Sequence, residues 1–347
     1  MIQVLPMQLA AAGGGSDAVT SVPWFVYVAF LVFVIAMLLV DLKFFHAEEH
    51  EPTVRESGTW VAVWVGLAIA FGIGVYVFKG SVATGQYFAG YLIEYSLSVD
   101  NMFVFVVIFS YFRVPKPYQH QVLFYGILGA MIFRGIFIAA GVALINNFEW
   151  VIYVFGVFLI YTAVKIARGG AEDIHPEDNP VLNFFQRRFR SVNRYDGQKL
   201  FTLDNGKKVA TPLFITLVFI EFTDILFAVD SIPAIFGVTK DPFIILTSNV
   251  FAILGLRALY FLLAGAMDRL HLLRYGLGVI LGFVGVKMLL EAVGCDGEST
   301  FCHDGHVGVP IWLSLTVIIG TLAITAFLSF KLPPKEPELE QLDRDAR

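Results

Sequence analysis

Charge is scarce in this sequence. Only 15% of the 347 residues are Asp, Glu, Lys or Arg, against roughly 25% in a soluble globular chain. That deficit excludes a disordered protein and an ordinary cytosolic enzyme. A basic surplus is missing too. The net charge of −5 argues against a nucleic-acid partner. Two cysteines are too few for a disulfide scaffold or for a structural zinc site built on three or four thiolates. No Gly-x-x-x-x-Gly-Lys-[Ser/Thr] loop offers a seat for nucleotide phosphates.

Long apolar runs are abundant. The chain is 57% hydrophobic, with a mean hydropathy of +0.72. A spanning helix needs about 20 mostly apolar residues. Nine stretches meet that length: roughly 23–42, 59–79, 87–111, 121–145, 149–167, 212–237, 242–266, 273–293 and 310–330. The expected fold is therefore an all-α polytopic membrane protein. The opening segment has no basic residue and no clear apolar core, so it is not expected to be a cleaved signal peptide.

Positive charge sets orientation. Counted loop by loop from the N-terminus, Lys and Arg number 0, 2, 1, 2, 0, 8, 1, 2, 0 and 4. The alternate sides thus carry 18 and 2. This predicts an outside N-terminus at 1–22 and an inside tail at 331–347. The inside loop at 168–210 holds eight of the basic residues, suited to anionic headgroups. Within it, Asn205-Gly206 predicts the turn of a short hairpin. Cys295 and Cys302 share the outside loop at 294–309. An oxidising compartment permits a disulfide there; the alternative is a metal-gathering loop with Asp296, His303, Asp304 and His306.

The chain also repeats itself. EYSLSVDN at 94–101 and DILFAVDS at 224–231 both place a carboxylate six residues before a Val-Asp aspartate. Gly126 precedes Arg134 by eight, as Asn249 precedes Arg257. Gly156-Val157 leads to Lys165 as Gly278-Val279 leads to Lys287. Residues 84–167 and 211–293 then form two three-helix repeats, following the first two spans at 23–79. By the charge count the repeats are inverted, a transporter signature with its site near the midplane.

Five acids lie inside spans: Glu94, Asp100, Glu221, Asp224 and Asp230. Each would cost about 2.5–3.5 kcal/mol at the bilayer centre, so they must face a polar interior, pair, or take up protons. Hard oxygen ligands suit Mg, Ca or Mn. Ser98, Asn101, Thr223, Ser231 and Asn249 offer neutral oxygens. Met102 offers a soft sulfur, although a core methionine is the favoured reading. No histidine lies in any of the nine stretches. Arg134 and Arg257 are candidate counter-ions; Lys165 and Lys287 sit nearer their span ends. Glu94 and Asp100, six apart, diverge by about 240° on a regular helix, as do Asp224 and Asp230. Either the helices unwind near the motifs, with Pro233 after Asp230 favouring a local distortion, or the acids form successive sites.

The segments EYSLSVDNMFVF, FIEFTDILFAVDSIPAIFGVTKDPFIILTSNVFAILGLRALYFLLAG and RYDGQKLFTLDNGKKVATPLF resemble the TerC family, especially its Alx branch. The resemblance runs from about 23 to 330. It implies a bacterial inner-membrane protein associated with Mn(II) export, in a family named for tellurite resistance and alkaline induction. By motif it assigns Glu94, Asp100, Glu221, Asp224 and Asp230 to the ion, and Asn101 and Ser231 more weakly. Proton-coupled antiport is the expected mechanism, with metal ion, protons and lipids as partners and no organic cofactor. Two other readings stand beside it. One is a non-transporting scaffold; the other changes the cargo to Ca(II) or protons. His46-Ala-Glu-Glu-His50 matches a protease pattern, His-x-x-Glu-His, but it is short and lacks a third ligand, so no enzyme is expected.

Overall fold

The computed structural model describes residues 22–45, 53–148, 150–168, 194–204, 207–263, 272–292, 302–303, 306–307 and 309–332. Among these residues nine helices form. They are α1 (Trp24–Phe45), α2 (Val54–Tyr111), α3 (Lys116–Asn147), α4 (Val151–Ala167), α5 (Pro212–Phe236), α6 (Pro242–Leu254), α7 (Leu256–Leu263), α8 (Leu273–Ala292) and α9 (Ile311–Lys331). By length and composition α2, α3, α5, α8 and α9 can each cross a membrane, and α6 with α7 make a sixth candidate if taken as one bent span. The apolar runs of α1 and α4 are shorter.

Local chemistry marks the helix starts. Thr53 opens α2 with a capping box: its hydroxyl accepts from the Glu56 amide, and Glu56 accepts from the Thr53 amide at 2.8 Å. Pro212 and Pro242 occupy the first positions of α5 and α6, where a missing N–H is no loss.

One expectation about the spans holds and another needs correction. The stretches at 59–79 and 87–111 are two helical segments, as expected; they follow one another within α2 without a loop and part at Gly80 (φ +83°). Glycine takes that left-handed value without a Cβ clash. The chain folds back there. Tyr87 Oη donates to the Ala68 carbonyl at 3.1 Å, whereas nineteen residues of straight helix would separate them by about 28 Å. Conversely, the stretch at 242–266 is not one helix. It bends by 41° between α6 and α7 at Gly255. In addition α3 begins at Lys116, earlier than the apolar run suggests, and so takes in His120, which stacks on Phe261.

Around the fold-back lies an aromatic core. Phe71 packs on Phe251 with centroids 4.8 Å apart, and Phe30, Tyr87 and Phe243 surround them. Met102 is fully buried in the same cluster. On the outside, α9 exposes Trp312, Ile319, Ile324 and Phe327, a surface that water would not favour.

The expected hairpin forms: β1 (Phe201–Asp204) pairs antiparallel with β2 (Lys207–Ala210), Phe201 opposite Ala210. Its turn residues lie outside the described set. Tyr195 Oη donates to the Phe112 carbonyl at 2.6 Å and docks this segment on the end of α2. Hydrogen bonds from Thr202 and Lys199 hold the Asp196 carboxyl below its usual range. A second, unexpected pair joins β3 (Cys302–His303) to β4 (His306–Val307). Cys295, the Cys302 side chain and the 46–50 motif lie outside the described residues.

Candidate ion site

The helices do not unwind at the acidic motifs. α2 is regular through 94–101, and α5 through 224–231 despite Pro233. Faces can therefore be read from spacing. Glu94, Ser98 and Asn101 sit at i, i+4 and i+7 on α2, one face, and all three are buried. Asp224 and Ser231 are likewise seven apart on α5, and both are buried.

These two faces meet at Arg134 of α3, which is 1% exposed. Its Nε and Nη2 donate to Asp224 Oδ2 and Oδ1 at 3.2 and 2.9 Å. Its Nη1 pairs with Glu94 and lies 3.5 Å from Ser231 Oγ. Asn249 of α6 donates from Nδ2 to Glu94 Oε2 at 3.0 Å. Four helices thus contribute to one dry polar cluster. The forked guanidinium suits this geometry, because it can grip one carboxylate with two parallel bonds.

The cluster is not fully satisfied. Asn249 Oδ1 and Ser98 Oγ are buried with no hydrogen-bond partner among the described residues. Such groups are uncommon and call for an explanation. A cavity of about 10 Å³ borders Asp224, lined also by Gly126, Ala130, Ile220 and Leu256. That is on the order of one water.

Two other acids, Glu221 and Asp230, make different contacts. Glu221 lies one turn before Asp224, and its carboxylate sits directly over Gly129 of α3, where a Cβ would collide with it. Its Oε2 is also without a hydrogen-bond partner among the described residues. Asp230 turns toward α4, where Thr162 Oγ1 donates to it at 3.3 Å. Asp224 and Asp230 therefore diverge, as their spacing requires on a regular helix. Arg257 is buried on α7. Asp100 lies within α2, but its side chain is outside the described set. Thr223 donates back to the Phe219 carbonyl of its own helix. Lys287 is buried and 3.6 Å from Glu291, while Lys165 is exposed. Among the described residues, no three His, Cys, Asp or Glu side chains gather closely enough to share an ion.

Spacing did not single out Gly129 and Thr162. Each is a small or weakly polar residue in an apolar run, and its role depends on which helix packs opposite.

Residues 79–336 match the Integral membrane protein TerC family. The chain belongs to the TerC family. A membrane protein of Myxococcus xanthus, uncharacterized by name, is 48% identical over 303 residues, covering 87% of this chain and 91% of that one. Alx of Escherichia coli (strain K12), named provisionally as a membrane-bound redox modulator, is 43% identical over 309 residues, 86% and 92% of the two chains. The chloroplastic thylakoid membrane protein TERC of Arabidopsis thaliana is 48% identical over 246 residues, 71% and 64%. No solved structure matches the chain. As a TerC protein it is an integral membrane protein, and the Arg134 cluster lies wholly inside the matched region.

Proposed function

We propose that this TerC protein is a secondary transporter that exports Mn(II) across the bacterial inner membrane in exchange for protons. One observation carries the reading: Glu94 and Asp224, from the two sequence repeats, are brought together inside an apolar helix bundle. Burying carboxylates at membrane depth is costly, and the sites where it occurs are ion or proton paths more often than scaffolding. Oxygen ligands of this kind suit Mn(II), and also Ca(II).

Contacts between the repeats support an inverted arrangement. Gly156 of α4 closely approaches Gly285 of α8, and Gly278 of α8 closely approaches Ala163 of α4. Adding 122 turns 156 into 278 and 163 into 285, so the second contact is the image of the first. Likewise α2 packs on α6 while α3 packs on α5. Such a two-fold relation would let the repeats rock about a central site, with the N-terminus outside and the C-terminus inside.

In this mechanism Arg134 is the built-in cation of the carboxylates. Mn(II) competes with it for Glu94 and Asp224, and Glu221 and Asp100 add charge when the ion binds. Protons return to the same carboxylates when the ion leaves. Moving a divalent ion out against an inside-negative potential costs about 4.6 kcal/mol per 100 mV, twice the single-charge value. An inward proton flux supplies that work.

The deciding experiment is Mn(II) uptake into inside-out vesicles under an imposed pH gradient, with Ca(II) as competitor. Gradient-driven uptake is expected in the wild type and lost in Glu94→Gln, Asp224→Asn and Asp100→Asn. Uptake unchanged in all three would sink the site assignment, and Ca(II) transported in preference would change the cargo.

A scaffold reading has one observation in its favour: the Arg134 bonds already neutralise much of the cluster's charge. It predicts no ion flux in verified, folded vesicles and a phenotype that survives neutralisation of the acids.

A further inference from the structure

We propose that the groove between α4 and α8 binds one acyl chain of an anionic phospholipid, with the headgroup held at Arg168 and Arg274. This inference is independent of the transport reading.

The groove is open to the protein's surface and holds about 450 Å³, room for a flexible chain laid along it. Its walls are Ile160, Ala163 and Val164 from α4 and Gly278, Val279 and Val286 from α8, with Tyr275 also lining it. Apart from the Tyr275 hydroxyl these side chains carry only hydrocarbon, so the occupant's body must be apolar. Small residues leave the room: Ala163 and Ala167 of α4 and Gly278 and Gly282 of α8 line the groove. The rims remain open: Val164, Val279 and Val286 are 42%, 57% and 48% exposed.

The direction of the helices decides where the charges lie. Gly156 meets Gly285 and Leu289, whereas Ala163 and Ile166 meet Gly278. Contacts running in opposite senses make the pair antiparallel. The C-terminal end of α4, with Arg168, therefore lies beside the first turn of α8, with Arg274. Both arginines are exposed. Arg274 lies 5.0 Å over the Tyr275 ring and donates to its hydroxyl at 3.3 Å, which draws the guanidinium to the mouth of the groove. The opposite end is different: there Tyr153 Oη donates to the Ala292 carbonyl at 2.6 Å and Lys287 is paired with Glu291. An apolar trough with cations at one end complements a molecule with an anionic head and an apolar tail. Among the described residues neither arginine is paired with a carboxylate, and a hydrocarbon helix from another subunit would supply none. Guanidinium forks also match phosphate geometry.

The test is native mass spectrometry of the full chain in mild detergent, titrated with phosphatidylglycerol and, separately, phosphatidylcholine. One phosphatidylglycerol per chain should be retained, with preference over phosphatidylcholine. Arg168→Gln with Arg274→Gln should cut that preference roughly tenfold, since each basic residue near an anionic lipid contributes a several-fold factor. Val279→Trp fills the groove from its exposed rim and should abolish retention of either lipid there. Val164→Trp does the same from the other helix, should the first variant fold poorly. Equal retention of the two lipids by the wild type would overturn the proposal. So would a preference that survives the double arginine variant. Conversion of a dimer to a monomer by Val279→Trp would also overturn it, and would make the groove an interface between copies.

Discussion

Arg134 and Asp224 meet through two parallel hydrogen bonds, Nε to Oδ2 at 3.2 Å and Nη2 to Oδ1 at 2.9 Å, with 1% and 5% of their side chains exposed. Two ions that dry depend on each other. Removing one leaves the other buried without compensation, which costs about 3–5 kcal/mol. Arg134→Met should therefore lower the thermal unfolding midpoint in detergent more than Asp224→Asn, because it strands Glu94 as well. Arg134→Lys should not rescue, since an ammonium cannot reproduce the fork that grips Asp224 while reaching Glu94. A lysine variant with wild-type stability and transport would show that charge alone matters here.

Gly129 makes a sharper test of Glu221. A methyl at Gly129 would occupy the space of the Glu221 carboxylate, whereas a Cβ at Gly135, on the same helix, meets nothing within 4 Å. Both substitutions replace glycine by alanine in a helix, which by propensity alone is favourable by roughly 1 kcal/mol. Gly135→Ala should thus be neutral or slightly stabilising. Gly129→Ala should displace Glu221 and, in the transport reading, reduce Mn(II) uptake severalfold or more without unfolding the protein. Equal uptake by the two variants would remove Glu221 from the ion path.

The sequence was informative wherever a signal was long or periodic. Among the described residues each apolar run of span length is mostly helical, because about twenty apolar residues have little other choice in a bilayer. The Asn205-Gly206 turn announced the β1–β2 pair. Landmark spacing brought out Glu94, Asp224 and Arg134 among five acids and two arginines, and helix geometry offered the divergence of Asp230 from Asp224 as one of two alternatives. Other features had no local signature. Thr162 as the partner of Asp230 depends on which face of α5 meets α4, a tertiary choice. Gly80 reverses the chain through one dihedral angle: the gap between the runs at 59–79 and 87–111 located the reversal, but not that a single residue makes it. The two-residue strands β3 and β4 are too short to carry any period.

Lys79 and Asp241 pose the last question, because they join the fold-back to another helix. Lys79, the residue before Gly80, is ion-paired with Asp241, both largely buried at 12% and 15% side-chain exposure. Asp241 also caps α6, accepting from the Phe243 amide at 2.9 Å. Beside it, Thr239 donates to Gln86 Oε1 at 2.9 Å and accepts from the Asp241 amide. One small polar cluster therefore fastens the turn at Gly80 to the α5–α6 connection. Asp241→Asn keeps an oxygen for the cap and removes only the ion pair. If the pair is what fastens the turn, Lys79→Gln and Asp241→Asn should destabilise by similar amounts and the double variant by little more. The coupling should fall within about 0.5–3 kcal/mol, as for other residues in direct contact. Additive losses in the unfolding cycle would show instead that the cap and the Thr239–Gln86 bond hold the turn without the charges.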